Sequence, residues 1–329
     1  MAEIVGGPFF EDLFVGQVLD TAPACTLTDG LSSAHAAIVG DRIRLALDAE
    51  LSRRVTGGRF ANPALVWDVA IGQSTLFTQR VIANLFYRGF VFCSFPQIGD
   101  TLYTSTEIVA LRQNSRREGR AATGLGVMRI RTVDQKGREV LDFLRCAMFP
   151  LRDPAGITPH AANLDEVKPA PRSKPLTDAI ADWRLDQFGS ANKGKHFADL
   201  KEGTIWEIAG GELVSSAAEL ARLTFNIALV HHDSAPSGSR LVYGGHTIGL
   251  ATLQITRALP NLVTIIAWHN CDHLAPVREW DTLRSTVELE KMEPIASGGG
   301  LVHLRSRVSA DRAGGSEQVL DWRLVGVMA

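Results

Sequence analysis

The sequence predicts an α+β fold built twice, each half a curved antiparallel sheet wrapped round a central helix. Three observations predict it. Segments of the first half recur in the second, in the same order and at a nearly constant offset. Each half holds one helix-spaced run that is apolar almost all round. Each such run is followed by four stretches rich in Val, Ile, Leu and Thr, broken by Gly, Asp and Asn turns.

The repeat comes first, because it sets every later assignment. FEDLFVGQVLD (10–20) is answered by FADLKEGTIWE (197–207), with Phe10 and Gly16 matching Phe197 and Gly203. GDTLYTSTEIVAL (99–111) is answered by WDTLRSTVELEKM (280–292), which matches Asp100 with Asp281. At the ends of the halves, RIRTVDQKGREVLDFLRCAMF is answered by RSRVSADRAGGSEQVLDWRLVGVM. A tandem duplication therefore places one copy at 1–153 and the other at 196–329. The segment 154–195 between them, rich in Pro, Ala and polar residues, reads as a linker over the surface.

Within the first copy, PALVWDVAIGQSTLF is the helix, followed by strands in NLFYRGFVFCSF, DTLYTSTEIVAL, GLGVMRIRTVD and EVLDFLRCAMF. In the second copy VYGGHTIGLATLQITRAL carries Ile248, Leu250, Ala251, Leu253, Ile255 and Leu259 at helical spacing. A helix so apolar belongs in a core. Its strands are NLVTIIAWHN, DTLRSTVELEKM, GLVHLRSRVSA and EQVLDWRLVGV. One helix and one antiparallel sheet per copy make an α+β layer. Joining the two sheets edge to edge removes the exposed edges that invite misassociation.

Composition excludes whole function classes. Apolar residues at 45% and charged residues at 21% suit a globular chain with a large core. Lys and Arg number 34 against 36 Asp and Glu, so no net charge draws the chain to nucleic acid or to an anionic membrane. No apolar run approaches the roughly 18 residues of a membrane span. MAEIVGGPFFEDLF lacks the basic-then-apolar order of a signal peptide. Cys25, Cys93, Cys146 and Cys271 lie far apart with no CxxC pair, so reduced thiols and a cytoplasmic location are expected. GLG at 124–126 lacks the strand–GxGxxG–helix setting of a nucleotide site, and no GxSxG elbow appears.

The stretch TFNIALVHHDSAPSGSRLVYGGHTIGLA (224–251) brings two histidines and an aspartate just ahead of the glycines that open the second helix. Thr224, Asn226, Val230, His231, Asp233 and Gly245 carry a resemblance to the MaoC-like, (R)-specific enoyl-CoA hydratases of the hotdog fold. Their signature, (S/T)-G-D-x-N-P-L-H-x-D, leads to a glycine at the start of the central helix. With FFEDLFVGQ, GDTLYTSTEIVALRQN and RLVYGGHTIGLA, the chain is most similar to the mesaconyl-CoA hydratase (β-methylmalyl-CoA dehydratase) branch. The resemblance covers nearly everything but the linker. It implies a double hotdog fold and a hydro-lyase that adds water reversibly to a 2-enoyl-CoA thioester, without cofactor or metal, in fatty acid metabolism. It implies a CoA thioester as the partner, no nucleic acid and no membrane. A fused pair already makes the hotdog dimer, so a monomer (pseudo-dimer) or a homodimer is expected.

The chemistry gives these residues their roles. Hydration needs a base for the water proton, and His231 suits it near neutral pH. It also needs a donor for the charge that develops on the thioester oxygen. A backbone N–H of Gly245 or His246 at a helix N-terminus suits that. Where the family has aspartate, this chain has Asn226, which orients a water but takes no proton. Either His231 acts alone with Asn226 positioning the water, or hydration has been lost; the branch resemblance favours the first. Gly244, Tyr243, Asp233 and His273 are expected around the substrate. His232 points to the opposite face from His231 and is read as structural.

Aligned on their final aspartates, AIVGDRIRLALD (37–48) pairs Asp41 with Asn226 and Ala46 with His231, while Asn62 and Pro63 stand near Gly244 and Gly245. The first half therefore shapes the acyl tunnel, and the single site lies in the second half. Trp67, Phe77, Phe86, Tyr87, Phe90 and Phe92 fill that tunnel or line it. WHNCDH (268–273) has H-x3-H spacing but no second ligand cluster, and reads as a pocket wall rather than a zinc site. RQNSRREGR (112–120) is a solvated hairpin. Two rival functions remain: a hotdog acyl-CoA thioesterase, or a catalytically inactive acyl-CoA binding protein.

Overall fold

In the computed structural model, residues 5–40, 42–172, 174–234, 238–312 and 314–329 are described. The repeated segments fold alike down to single hydrogen bonds. Phe10–Asp12 and Phe197–Asp199 each form a 3₁₀ turn. In each the aspartate turns back to accept an N–H: Asp12 from Phe9 and Asp199 from His196, both at 2.9 Å. Gly16 (φ 87°) and Gly203 (φ 78°) then donate to the Ile108 and Leu289 carbonyls at 2.8 Å. That left-handed backbone is what glycine tolerates and other residues resist. Asp100 and Asp281 each cap a turn, accepting from Gln97 and Arg278 at 2.8 Å.

The first half contains β1 (Val18–Leu19), β2 (Cys25–Thr26), α1 (Asp29–Val39), α2 (Arg44–Leu47), α3 (Ala49–Thr56), α4 (Pro63–Gln73), β3 (Ala83–Phe92), β4 (Thr101–Gln113), β5 (Thr123–Asp134) and β6 (Glu139–Pro150). After α5 (Leu185–Ala191) come β7 (Ile205–Glu207), β8 (Glu212–Leu213), α6 (Ala217–Leu223), α7 (Gly244–Ala258), β9 (Leu262–His273), β10 (Thr282–Pro294), β11 (Gly300–Arg312) and β12 (Gly315–Met328). They join in one antiparallel sheet ordered β1-β4-β5-β6-β3-β9-β12-β11-β10-β7. That order reads as two copies of one sequence of strands meeting at β3–β9, where Phe90 pairs with Trp268 and Tyr87 with Cys271. The double hotdog expected from the sequence is thus the fold observed, with its inner edges paired to each other.

All residues of α4 are buried, which its even apolar pattern requires. α7 lies beside it, so the two central helices share one core. Packing crosses between the halves throughout. A Cβ on Gly249 of α7 would press on Val39 of α1, and one on Gly72 of α4 would overlap the Thr224 carbonyl oxygen of the second half. Trp67, Phe90, Trp268 and Trp322 interlock at the junction, with Phe90 stacked on Trp268 at 3.9 Å. Of the six aromatics expected at the tunnel, Trp67, Phe77, Phe90 and Phe92 are packed in the core, and Tyr87 faces the cavity described below.

Helices α1, α5 and α6 carry little apolar periodicity in sequence and emerge only in the structure, as does the short α3, whose Leu51 and Val55 form its buried face. The segment between the halves is more than a surface strap. Leu185 and Phe188 of α5 are buried, and Trp183 packs edge-on against Phe60 at 5.4 Å. Among the described residues no helix is long and apolar enough to cross a membrane.

Candidate active site

Where the halves meet, a cavity of about 660 Å³ opens beside the N-terminus of α7. His231 and Asn226 reach it from the segment before α7, Tyr243 and Gly244 from the start of α7, and His273 from the end of β9. The first half contributes Thr78, Asn84, Tyr87 and Arg145. The site therefore belongs to neither half alone.

His231 ends a 3₁₀ turn (Leu229–His231) and is 9% exposed. Its Nδ1 lies 2.8 Å from the Leu241 carbonyl oxygen. A carbonyl only accepts, so Nδ1 carries the proton and Nε2 keeps its lone pair. Burial pushes the imidazole pKa down to about 4, opposed by the Leu241 bond and assisted by the charges of His232 and Arg145. The ring is neutral at pH 7 and can take a proton.

Asn226 is held in place by its neighbours. Its Oδ1 accepts the Ala228 N–H at 3.1 Å, which assigns the amide orientation. The Nδ2 end is thereby the group left to act as donor in the cavity. Its own carbonyl accepts from His232 Nε2 at 2.6 Å. His232, turned away from the cavity, braces the residue that faces it.

Gly244 occupies the first position of α7, and its amide has no acceptor within the helix. It lines the cavity. Gly245 does not. A Cβ there would fall within 2.5 Å of the Tyr243 ring and closer still to Asp68 Oδ1. His246 is fully buried away from the cavity, its N–H bonded to the Tyr243 carbonyl at 3.0 Å and its ring held down to about 4 by burial. Asp233 sits exposed at the rim. Asp41, the acid aligned with Asn226, lies outside the described residues.

A bulge in β9 separates the two histidines of the H-x3-H stretch. Arg323 pairs with Asn270 and Leu324 with Trp268, leaving His269 as the extra residue. His269 stacks on His303 at 5.2 Å between ring centres, while His273 reaches the cavity and lies against Gly244. Among the described residues no three His, Cys, Asp or Glu side chains are grouped to hold a metal ion.

The first half supplies groups that sequence reading missed. Asp68 of α4 is fully buried and crosses to the start of α7. Its Oδ1 accepts from Tyr243 Oη at 3.0 Å, and its Oδ2 lies 2.9 Å from His35 Nε2. Burial raises its pKa, while the His35 and Tyr243 bonds pull it back. Tyr243 packs its ring 5.8 Å from that of His231. The Asp68 link thus sets the tyrosine against which the histidine rests. The signal was one carboxylate inside an otherwise apolar helix, WDVAIG. Arg145 gave a similar signal, a lone cation within the apolar strand LRCAMF.

No family model matches the chain. A solved Mycobacterium tuberculosis protein with a double hotdog fold is 51% identical, covering 99% of this chain and 100% of that one, with a TM-score of 0.93. A structure from Chloroflexus aurantiacus described as a MaoC domain dehydratase is 26% identical over 100% of this chain and 99% of that one, with a TM-score of 0.85. The β-methylmalyl-CoA dehydratase of Chloroflexus aurantiacus is 29% identical over 93% of this chain and 89% of its own length. The mesaconyl-CoA hydratase of Cereibacter sphaeroides is 28% identical over 91% and 88%.

Proposed function

Since this chain belongs to the MaoC-like double-hotdog family, we propose that it reversibly adds water to a 2-enoyl-CoA thioester, with His231 as the acid/base. The observation that carries this reading is the His231–Leu241 bond at 2.8 Å. It leaves a neutral imidazole with a free Nε2 in a cavity shared with an amide donor and an unspent helix N-terminus.

In the hydration direction His231 Nε2 accepts a proton from water as the hydroxyl adds to the β-carbon. The electron pair of the double bond moves to the thioester, whose oxygen takes the charge. The Gly244 N–H, at the positive end of α7, is the donor best placed for that oxygen, with Gly245 shaping the backbone behind it. The imidazolium then returns the same proton to the α-carbon. One water is consumed and the enzyme is restored. Asn226 Nδ2 donates to the water oxygen and orients it, a task that needs no ionisation.

Asp68, from the middle of α4, lies against the start of α7, and a carboxylate at a central-helix N-terminus suits a thioesterase. Its two oxygens are taken up by Tyr243 and His35, and it is sealed from the cavity. Hydration is therefore favoured over hydrolysis. All four cysteines are free thiols, in keeping with a cytoplasmic enzyme. The paired inner edges allow a monomer, or a homodimer built on another face.

The test follows the loss of enoyl-thioester ultraviolet absorbance with crotonyl-, longer 2-enoyl- and mesaconyl-CoA, for wild type and His231→Ala. The variant should lose roughly a hundred- to ten-thousandfold in kcat/KM. Equal turnover by both proteins would remove His231 from the mechanism. No turnover by the wild type on any of them would favour an acyl-CoA binding protein.

A further inference from the structure

We propose that His273 is a second donor to the thioester oxygen, its Nδ1–H joining the Gly244 N–H in a two-point oxyanion site. This deepens the hydration reading above and rests on it for where the thioester lies.

The two central helices begin differently. α4 is closed by its own residues: Pro63 at its first position has no N–H, and the Asn62 side chain accepts the Ala64 N–H at 2.6 Å. α7 has no such cap. The Tyr243 side chain before it makes no capping bond and is committed to Asp68 instead. Among the described residues no acceptor takes the Gly244 N–H.

His273 lies against this open end. Its imidazole packs so closely on Gly244 that a Cβ there would lie 2.7 Å from Cε1 and 2.8 Å from Nε2. The backbone at Gly244 is not left-handed, so it is the ring, and not the chain conformation, that requires glycine. The ring is fixed from other sides as well. His273 ends β9, paired with Leu320 of β12, and the Tyr87 ring meets it edge-on at 5.9 Å between centres.

The two ring nitrogens have different surroundings. Nε2 is shielded and has no protein partner. An orphaned N–H is rarer in a protein interior than an orphaned acceptor, so Nε2 is assigned the lone pair. The proton then sits on Nδ1, the nitrogen left to the cavity that His273 lines. Burial pushes the imidazole pKa down to about 4, against the pull of Asp272. The positive end of α7 acts in the same direction as burial.

A neutral imidazole at a helix N-terminus polarises a carbonyl by hydrogen bonding alone. The two histidines therefore show the cavity opposite faces. His231 presents a lone pair, which suits the water proton. His273 presents an N–H, which suits the oxygen that gains charge. His273 keeps its proton throughout, and its bond strengthens as the double-bond electrons move onto the thioester.

The experiment compares wild type with His273→Phe, His273→Asn and His273→Gln. Phenylalanine keeps a ring against Gly244 and Tyr87, the asparagine amide reaches the place of Nδ1, and the glutamine amide reaches that of Nε2. Hydration of crotonyl- and mesaconyl-CoA is measured beside the infrared carbonyl stretch of bound butyryl-CoA, isotope-labelled at its thioester carbon. Butyryl-CoA has no double bond to hydrate, so its spectrum reports the donors without turnover. His273→Phe should lose roughly a hundred- to a thousandfold in kcat, with KM within about threefold. His273→Asn should recover most of that loss and His273→Gln little. The stretch in wild type should lie below its position in water, and should rise in His273→Phe. Wild-type kcat in His273→Phe overturns the assignment. A wild-type stretch no lower than in water overturns it as well, whether or not the variants fold. Equal loss of kcat in the Phe and Asn variants with an unchanged stretch makes His273 a pocket wall only, and also overturns it. A stretch that depends on His273 with no turnover of either enoyl-CoA would support the donor and sink the hydratase reading instead.

Discussion

Gly245→Ala should destabilise this protein although it places the best helix former in a helix. At an open helical position the change would gain up to about 1 kcal/mol. At Gly245 the new methyl would lie within 2.5 Å of two Tyr243 ring carbons and closer still to Asp68 Oδ1. Neither neighbour yields cheaply. Asp68 is fully buried and fixed by His35, and Tyr243 is fixed by Asp68 at 3.0 Å. Overpacking of this kind costs about 1–3 kcal/mol. Pulling Tyr243 Oη from a buried carboxylate costs about 1–3 kcal/mol more. After the helical gain, the net loss is about 1–5 kcal/mol. At roughly 2 °C per kcal/mol for a chain of this length, Tm should fall by about 2–10 °C in scanning calorimetry. Gly30→Ala is the matched control. Gly30 is likewise the second residue of its helix, and the nearest atom to its Cβ is Thr28 Oγ1 at 4.0 Å. That variant should melt at or slightly above wild type. If Gly245→Ala melts no lower than Gly30→Ala, the Asp68–Tyr243 link is not the constraint argued above.

Two further predictions concern the base. Because burial holds His231 near 4, the pH profile of kcat/KM should stay level from neutrality to about pH 5 and fall as pH drops through 4. An exposed histidine would place that limb near 6.5. Hydration and dehydration should share the limb, since the overall equilibrium takes up no proton; a fall centred on 6.5 would mean that His231 is solvated in the working enzyme. Asn226→Asp should keep the Ala228 N–H bond and turn a carboxylate oxygen toward the cavity in place of Nδ2. Its negative charge should move the acid limb upward, by about one unit or more, while the buried carboxylate lowers Tm; an unmoved limb would place Asn226 too far from His231 to orient its water.

Much of the fold was legible because its signals are local and occur twice. The F-x-D-L turns, the glycines at 16 and 203 and the turn aspartates at 100 and 281 each act within a few residues of themselves. Strands of alternating apolar residues and a helix apolar all round declare burial without any partner being known. Among the helices outside the repeat pattern, α1 was hidden because its residues are held by contacts with distant segments. Val39 against Gly249 is one such contact.

At the site, the order His231–Asp233–Tyr243–Gly244 marked a loop entering a helix, and the resemblance supplied its chemistry. Sequence spacing alone could not say which glycine faces the cavity. That depends on Asp68 arriving from α4 to occupy the space behind Gly245. Nor could it tell that the β9 bulge at His269 turns that histidine and His273 to different surroundings.

What the sequence determined by itself was the duplicated α+β plan, its helix and strand periods and the family it resembles, because periodicity and turn chemistry are properties of neighbours along the chain. The tertiary structure decided which partners meet: Asp68 with Tyr243, His231 with Leu241, and His273 with Gly244. Charge and burial are set by what surrounds a side chain in space, so a neutral base and a neutral donor become visible only once both halves have closed round them.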